Sequence, residues 1–272
     1  MFKRASSLIS EAEVFIITAG AGMGVDSGLP DFRGNKGFWN AYPEYQRLGL
    51  SFEECANPQH FAHDPHFGWG FYGHRTKLYR ETIPHDGFHL IQKWLEKNNA
   101  DCFVVTSNVD GQFQKAGFAE DNIYEVHGTI HWLQCQQVCT TDIWENKAAF
   151  VIDSGTMRAV NELPRCPHCG TIARPNILMF GDWSWSSRRT NFQKQRFDRF
   201  RVDNARKKTV VIELGAGTSI PTIRMLSERM GSRKNVSVIR INPREPEINA
   251  PHISIACGAL DGLQRIDCQI TT

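Results

Sequence analysis

The 272-residue sequence has little that would hold it at a membrane or on a nucleic acid. It contains no apolar run near the roughly 18 to 20 residues that a membrane-spanning helix requires. Its formal net charge is only +2, which gives no electrostatic reason to expect a nucleic acid or a lipid surface as a partner. Ser6, Ser7 and Ser10 interrupt the apolar stretch that a secretory signal would need. We therefore expect a cytoplasmic protein that acts as a monomer, with no nucleic-acid or membrane partner.

Internal repeats and low-complexity segments are also missing, and a composition of 41% hydrophobic and 22% charged residues excludes global disorder. Apolar segments rich in β-branched residues occur at 14–18, 103–107, 123–126, 210–214, 236–241 and 253–256. Helical patterns separate several of them, and this alternation predicts an α/β fold built on a parallel sheet. Ligands of such sheets bind at the carboxyl ends of the strands. Four residues fall at those ends: Gly20, Asn108, His127 and Gly215.

Two stretches interrupt the alternation of strands and helices. Apolar residues recur every three or four positions at about 88–98 and 221–231, which predicts two helices of the sheet domain. Residues 30–84 are instead rich in aromatics, glycine and proline, and predict only short helices. Residues 129–180 contain four of the eight cysteines. We interpret both stretches as insertions into the sheet domain.

The most distinctive segment is 18–34, which reads TAGAGMGVDSGLPDFRG. It begins at the end of an apolar strand. Closely spaced glycines such as Gly20 and Gly22 let a backbone pass against phosphates, with N–H groups free to donate. The spacing departs from G-x-G-x-x-G, so the glycines alone are a weak signal. An ordered polar cluster completes the segment: Asp31, Phe32 and Arg33.

The four cysteines of the second insertion form two closely spaced pairs. Cys135 and Cys139 are separated by three residues, and Cys166 and Cys169 by two. Two such pairs brought together by a loop supply four thiolates, which is typical of a closed structural zinc site. The alternative interpretation is two redox-active or disulfide-forming pairs. A closed site leaves no open coordination position, so the predicted zinc is structural.

Polar residues also follow two other predicted strands. Asn108 and Asp110 come after the strand at 103–107, and His127 follows the strand at 123–126. A histidine in this place can exchange protons near neutral pH. Asn and Asp are common turn formers, however, so residue type alone leaves both a catalytic and a structural interpretation open.

The order of these motifs resembles that of the sirtuin family, from about residue 10 to residue 265. The matching motifs are GAG to DFRG, Asn108-x-Asp110, His127-Gly128, the two cysteine pairs, Arg174-Pro175-Asn176-Ile177 leading to Phe180-Gly181-Asp182, Gly217-Thr218-Ser219, and Ile241-Asn242. The resemblance implies a Rossmann-like domain with a smaller zinc-binding and helical domain. It assigns 1–29, 86–128 and 181–272 to the NAD-binding domain, 30–85 to a cofactor loop and helical module, and 129–180 to the zinc-binding module.

The resemblance also implies an NAD-dependent protein-lysine deacylase that consumes NAD as a co-substrate. The acyl oxygen of the lysine would attack the anomeric carbon, nicotinamide would leave, and His127 would act as general base on the ribose hydroxyls. Asn108 and Asp110 would stand beside the nicotinamide and its ribose. The implied cofactor-binding residues are Gly20, Ala21, Gly22, Asp31, Phe32, Arg33, Ser107, Asn108, Asp110, His127, Gly217, Thr218, Ser219, Asn242 and Cys257.

Acylated lysine side chains of proteins are the implied substrates, with the segment 180–183 pairing with the substrate backbone as an added strand. The implied substrate-binding residues are Ala56, Tyr72, Arg75, Leu178, Phe180, Gly181 and Asp182. Tyr72 and Arg75 share one helix face if this stretch is helical, and together could bind a carboxylate. Members of the family that prefer succinyl- or malonyl-lysine carry this Tyr-x-x-Arg, with a small alanine sixteen residues before the tyrosine, here Ala56. We therefore expect a preference for these acidic acyl groups, with some deacetylase activity.

Three positions depart from the common family pattern. Ser107 stands in place of a glutamine, Gly24 in place of a frequent serine, and Asp182 in place of a glutamate. None of them removes the histidine, asparagine or aspartate that the chemistry needs. The alternatives are a mono-ADP-ribosyltransferase or an NAD hydrolase on the same scaffold, and a non-catalytic NAD-sensing protein.

Overall fold

The computed structural model describes residues 1–31 and 34–270. The strands of these residues are β1 Val14–Ala19, β2 Asp101–Thr106, β3 Ile123–Glu125, β4 Gly128–Cys135, β5 Ile143–Glu145, β6 Ile152–Asp153, β7 Arg158–Ala159, β8 Ala173–Ile177, β9 Thr209–Leu214, β10 Val236–Ile241 and β11 Ile253–Ile255. The α-helices are α1 Phe2–Ser10, α2 Gly34–Ala41, α3 Pro43–Arg47, α4 Phe52–Cys55, α5 Gln59–His63, α6 Pro65–Glu81, α7 Asp86–Asn98, α8 Gln112–Lys115, α9 Arg188–Asp203, α10 Thr222–Gly231 and α11 Ala259–Ile270. Short 3₁₀ turns lie at Ala21–Met23, Val25–Ser27 and Glu120–Asn122.

The central sheet has six strands in the order β11-β10-β9-β1-β2-β3, and every neighbouring pair is parallel. All six residues of β1 and all six of β9 are buried, because apolar clusters cover both faces of the sheet. Strands buried on both faces read as continuous apolar runs, which is why the sequence locates them well. The predicted α/β fold is confirmed.

The two helices predicted for this domain are confirmed as α7 and α10. Asn99 ends α7 with φ 48° and ψ 44°, the left-handed conformation that asparagine tolerates better than most residues. The expectation of only short helices between 30 and 84 is wrong, since α6 is 17 residues long. Its start is well specified, because the side chain of Asp64 accepts a hydrogen bond from the Phe67 backbone N–H and Pro65 occupies the first turn.

A second sheet is antiparallel, with the order β5-β4-β8, and β6 and β7 form a separate two-stranded ribbon. The helices α2 to α6 pack with these strands around one apolar cluster that extends from Leu29 to Met179. Gly70 of α6 illustrates how close the contact is, because a Cβ there would lie 1.8 Å from the Met157 carbonyl oxygen. The two predicted insertions therefore share a core, while the exact domain boundaries stay a prediction.

The architecture places several loops at one edge of the central sheet. The carboxyl ends of β1, β2, β3 and β9 meet there, because neighbouring parallel strands all run in one direction. His127 lies in the two-residue connection between β3 and β4, where the chain passes from the parallel to the antiparallel sheet. Among the described residues, no helix combines the length and the apolar character needed to cross a membrane.

Candidate active site

The ends of β1 and β2 are joined by side-chain hydrogen bonds at the sheet edge. The Asn108 amide Nδ2 donates to the Gly20 carbonyl at 3.0 Å, and the Thr106 hydroxyl donates to the Ala19 carbonyl at 3.2 Å. The backbone N–H of Asn108 in turn donates to that Thr106 hydroxyl at 3.0 Å. Ser107 is half-buried beside them, and its hydroxyl reaches the Ala19 carbonyl at 3.4 Å. Asn108 is thus fixed against the glycine-rich turn that follows β1.

His127 is half-buried and is held by the backbone on both sides. Its carbonyl accepts a hydrogen bond from the Leu178 N–H at 2.9 Å. The next residue, Gly128, has φ 76°, and a Cβ there would lie 2.0 Å from the Asn176 carbonyl oxygen, so only glycine fits. Burial lowers the pKa of the His127 imidazole, opposed in part by a hydrogen bond with the Ser107 backbone. The ring is therefore neutral at pH 7 and can accept a proton.

Asp110 is buried at the start of the turn that leads into α8. Its carboxylate accepts a hydrogen bond from the Gln112 N–H at 3.0 Å, and its carbonyl lies 2.9 Å from His131 Nε2. Burial raises the pKa of the Asp110 carboxyl to about 6, and the nearby Glu125 carboxylate adds to the increase. A buried carboxyl with a pKa raised in this way is a candidate functional group.

The glycines after β1 make close contacts with a second loop of the chain, and their N–H groups are not free as the sequence predicts. The N–H groups of Gly20 and Gly22 donate to the carbonyls of Leu214 and Gly215 at 3.0 and 3.1 Å, so they are not free for a phosphate. A Cβ on Gly22 would lie 2.7 Å from the Gly215 Cα. These glycines let the loops after β1 and β9 pack backbone to backbone. A single 3₁₀ turn that includes Ala21 follows them.

Five of the implied cofactor-binding residues lie after β9, β10 and β11. Gly217 is half-buried, and Thr218 and Ser219 are exposed. The cofactor-binding role of Asn242 stays a prediction. Its side chain is fully buried, with Nδ2 donating to the Ala216 carbonyl at 2.8 Å and Oδ1 accepting from two backbone N–H groups at 3.0 Å. Asn242 therefore holds the backbone of the loops after β9 and β10 together. Cys257 lies half-buried after β11.

Part of the polar cluster of the first loop is described. The Asp31 carboxylate forms an ion pair with Arg244, which follows β10. This contact links the loop after β1 to the loop after β10. Phe32 and Arg33, the other two members of the predicted cluster, lie outside the described residues.

The segment after β8 forms an exposed apolar surface next to His127. Leu178, Phe180 and Trp183 are 39%, 37% and 98% exposed. The N–H of Phe180 donates to the Ala56 carbonyl at 3.1 Å, and Gly181 turns the chain with φ 64°. The Asp182 side chain is fully buried in an ion pair with Arg174, so only its backbone can meet a peptide, and its part in substrate binding stays a prediction.

Comparison with known proteins identifies the family to which this chain belongs. A family model described as the Sir2 family matches residues 20–204, more than half of the chain. The chain belongs to the Sir2 family. The sirtuin resemblance carried by the sequence motifs is therefore confirmed.

Several curated relatives of this sirtuin chain have names that state an activity. The "NAD-dependent protein deacylase" of Thermococcus sibiricus is 32% identical over 185 residues, which cover 67% of this chain and 66% of the relative. The "NAD-dependent protein deacetylase" of Saccharolobus solfataricus is 34% identical over 180 residues, covering 66% and 65%. The chain thus spans about two thirds of the length of these relatives. "NAD-dependent protein deacylase 1" of Caldanaerobacter subterraneus subsp. tengcongensis is 27% identical over 263 residues, covering 96% and 95%.

Solved structures show that the whole fold is that of the family. A structure titled "Crystal structure of a Sir2 homolog-NAD complex" has a TM-score of 0.72 at 24% identity, covering 98% of this chain and 93% of that one. Another, titled "Structural Basis for the Mechanism and Regulation of Sir2 Enzymes", has a TM-score of 0.65 at 19% identity, covering 99% and 97%. At these identities the likeness establishes the fold alone.

The four predicted zinc ligands of this sirtuin come together. The Sγ atoms of Cys135, Cys139, Cys166 and Cys169 all lie within 4.8 Å of one another. The distance is 3.6 Å between Cys135 and Cys169 and 3.5 Å between Cys139 and Cys166. Four thiolates at about 2.3 Å from a tetrahedral Zn²⁺ stand about 3.8 Å apart, so the set fits this ion closely. All four cysteines are free thiols, as a set of metal ligands would be.

Tyr72 and Arg75 lie on α6 as predicted, but both are buried, with 1% and 5% exposure. Two hydrogen bonds of the Arg75 guanidinium go to Tyr79, whose hydroxyl accepts from Nε at 3.0 Å and from Nη2 at 2.7 Å. The guanidinium also lies over four aromatic rings, at 5.7, 5.1, 5.6 and 5.4 Å from the centroids of Phe52, Phe71, Tyr72 and Tyr79. Sequence reasoning missed Tyr79, although its i, i+4 spacing from Arg75 was a usable signal.

Proposed function

We propose that the protein is an NAD-dependent protein-lysine deacylase. The observation that carries the proposal is the convergence of Asn108, Asp110 and His127 at the carboxyl ends of two adjacent parallel strands, next to the loop after β1. The names of the curated relatives support the same activity. The strand ends carry polar side chains, whereas the neighbouring segment after β8 exposes apolar side chains, which suits an acylated side chain entering from a peptide.

The residues would divide the work between two steps. In the first, the acyl oxygen of the lysine attacks the anomeric carbon of NAD, and the bond to nicotinamide breaks. Asn108 and Asp110 would hold the nicotinamide and its ribose during this step. In the second, neutral His127 would accept a proton from a ribose hydroxyl, whose oxygen then attacks the acyl carbon. The bond from that carbon to the lysine nitrogen breaks, lysine leaves as the free amine, and a water molecule supplies the oxygen that completes O-acyl-ADP-ribose.

The peptide would bind along the segment after β8. Leu178 and Phe180 expose side chains there, while their N–H groups are bonded within the protein to His127 and Ala56. Main-chain pairing with residues 180–183 would give affinity with little dependence on substrate sequence. The buried side chain of Asp182 would act only by supporting this segment.

The acyl group would be acidic, such as succinyl or malonyl, with acetyl as a weaker substrate. Arg75 supplies a buried positive charge on α6, and Tyr79 holds the guanidinium by two hydrogen bonds. A carboxylate brought to a buried guanidinium gains a charge-assisted hydrogen bond, which is stronger than a neutral one. Ala56 is small and buried nearby, next to the peptide segment through its bond with Phe180.

A mass-spectrometric assay with NAD and acyl-lysine peptides tests the activity. O-acyl-ADP-ribose and free lysine peptide are the expected products. ADP-ribosylated protein would indicate a mono-ADP-ribosyltransferase, free ADP-ribose alone an NAD hydrolase, and no product a non-catalytic NAD-sensing protein. Any of these three outcomes would contradict the proposal.

The acyl preference is tested separately by kcat/KM on succinyl- and acetyl-lysine peptides. Arg75→Met should reduce the succinyl-to-acetyl ratio by about 30-fold, since a lost hydrogen bond between charged groups costs about 2 kcal/mol. Lys77→Met removes an exposed cation from the same helix and should leave the ratio unchanged. A ratio at or below one that does not respond to Arg75→Met would contradict the acidic-acyl proposal and leave the deacylase proposal intact.

A further inference from the structure

Glu125 is a buried acid two residues before His127. The residue is 1% exposed on β3, and its carboxylate is held by two side chains of α9. Arg189 Nη1 donates to Glu125 Oε2 at 2.5 Å, and Gln193 Nε2 donates to the same oxygen at 3.3 Å. A buried carboxylate is costly unless it is paired and hydrogen-bonded, and an apolar residue would fill this place at no such cost.

The main chain of Glu125 is held by the same helix. Its N–H donates to Gln193 Oε1 at 3.1 Å, and its carbonyl accepts from the Thr190 hydroxyl at 3.4 Å. Gln193 thus bonds both the backbone and the carboxylate of one residue. The first turns of α9 therefore fix the end of β3 at its main chain as well as at its side chain.

Arg189 also contacts residues before and after His127 in the chain. Its Nη2 donates to Glu120 Oε1 at 2.5 Å, before β3, and its guanidinium carbon lies 5.5 Å from the centroid of the Trp132 ring on β4, which follows His127. Since β3 leads into His127 and β4 leads out of it, one guanidinium contacts both strands that carry the connection. The imidazole stands on a two-residue connection, whose position depends on how these strand ends are held.

The negative charge of Glu125 also affects Asp110. Together with burial, it raises the pKa of the Asp110 carboxyl. Asp110 and His131 are linked by a hydrogen bond of 2.9 Å, and Glu125 also raises the pKa of His131, against a larger lowering by burial. A residue that served packing alone would need no charge in this place.

We propose that Glu125 and Arg189 form a positioning pair that holds the imidazole of His127 for proton transfer. This inference rests on the proposed deacylase function and names residues that touch neither substrate. A shift of about 1 Å in a catalytic group costs about a hundredfold in rate. Because the pair sets the position of His127, its loss should slow mainly the step in which His127 accepts a proton. Bond cleavage at nicotinamide precedes that step and does not use the imidazole as a base.

The test compares the two steps in Glu125→Gln, which keeps the shape and loses the charge. Transfer is measured as kcat for O-acyl-ADP-ribose, and cleavage as exchange of labelled nicotinamide into NAD in the presence of acyl-peptide. We expect transfer to fall at least about tenfold, with exchange unchanged. The matched control is Glu120→Gln, which removes the half-exposed partner of Arg189, leaves the Glu125 pair, and should change neither rate.

An equal fall in both rates would assign Glu125 a purely structural role and overturn the inference, as would unchanged transfer. The double variant Glu125→Gln with Arg189→Gln contains no unpaired buried charge, so it covers the case in which the single variant does not fold. It should show the same loss of transfer with exchange retained, and wild-type transfer in it would equally overturn the inference. If the wild-type protein forms no O-acyl-ADP-ribose, the deacylase function itself fails, which is a distinguishable result.

Discussion

The guanidinium of Arg174 donates two hydrogen bonds of 2.8 Å to the carboxylate of Asp182, and both side chains are fully buried. The same carboxylate accepts from the backbone N–H groups of Ser184 and Met179 at 3.1 and 3.3 Å. Asp182 therefore anchors the exposed segment that carries Leu178 and Phe180. The ion pair supports the proposed peptide surface from inside the protein.

Asp182→Asn should destabilise the protein strongly, because it leaves the Arg174 charge buried without its partner. Loss of one member of a buried pair costs about 3–5 kcal/mol, measured as the free energy of unfolding in urea. The surface pair of Arg47 and Glu44 is the control, since the Arg47 side chain is 71% exposed. Arg47→Gln should have no measurable effect. Equal effects of the two substitutions would contradict this role of Asp182.

Asp110→Asn should stabilise the protein at pH 8 and reduce its activity. The folded-state pKa of Asp110 is raised from 3.8 to about 6, so the ionised carboxyl opposes folding above that pH. The shift corresponds to roughly 3 kcal/mol at most. The folded state binds the proton more tightly, so the advantage of the variant is complete above about pH 6 and is lost as the pH falls from 6 towards 3.8.

Urea unfolding of both proteins at pH 8 and pH 4 measures this difference. Asp121→Asn, at an acid with an 85% exposed side chain, is the control and should show no pH-dependent difference. A stabilisation by Asp110→Asn that is the same at both pH values would show that it does not come from the charge.

The sequence predicted best what depends on continuous apolar runs and on local spacing. Strands such as β1 and β9 are buried on both faces, so their residues alone identify them. The cysteine quartet was predictable because metal ligands occur in short, fixed spacings. The family motifs then predicted which loops after the strands carry the candidate site residues.

What the sequence could not give is where a polar side chain points. Asn242 and Asp182 belong to the family motifs, yet both side chains are buried and bonded to the protein itself. Gly20 and Gly22 pack against another loop of the chain, a contact between residues almost 200 positions apart. The pairing of Glu125 with Arg189 joins residues 64 positions apart, and no local pattern predicts it.

Removal of zinc should unfold the antiparallel sheet before the parallel one. Cys135 ends β4, and Cys166 and Cys169 precede β8. The ion would therefore tie together β4, which begins next to His127, and β8, which ends next to Leu178. Structural zinc contributes about 10–16 kcal/mol of apparent binding free energy in small peptides. Hydrogen exchange after chelation should accelerate at 129–177 and stay slow in β1 and β9.

The matched variants for the zinc site are Cys166→Ser and Cys268→Ser. The first removes one of the four converging thiols, and the second removes an exposed cysteine outside the cluster. Zinc content measured by metal analysis should fall only in Cys166→Ser. One zinc per chain retained in that variant would contradict the four-cysteine site.

Gly22→Ala tests why glycine is needed at this position. The structure indicates close packing between the loops after β1 and β9, and the alternative is direct approach of a phosphate to the backbone. The added Cβ would lie 2.7 Å from the Cα and 2.9 Å from the carbonyl oxygen of Gly215, which are backbone atoms that cannot rotate away. We expect a loss of about 1–3 kcal/mol in unfolding free energy even without NAD, together with weaker NAD binding by calorimetry. Gly155→Ala is the control, since its Cβ would meet only Asp153 Oδ1 at 3.5 Å. Undiminished stability with weakened NAD binding in Gly22→Ala would instead favour direct approach of the phosphates to this glycine.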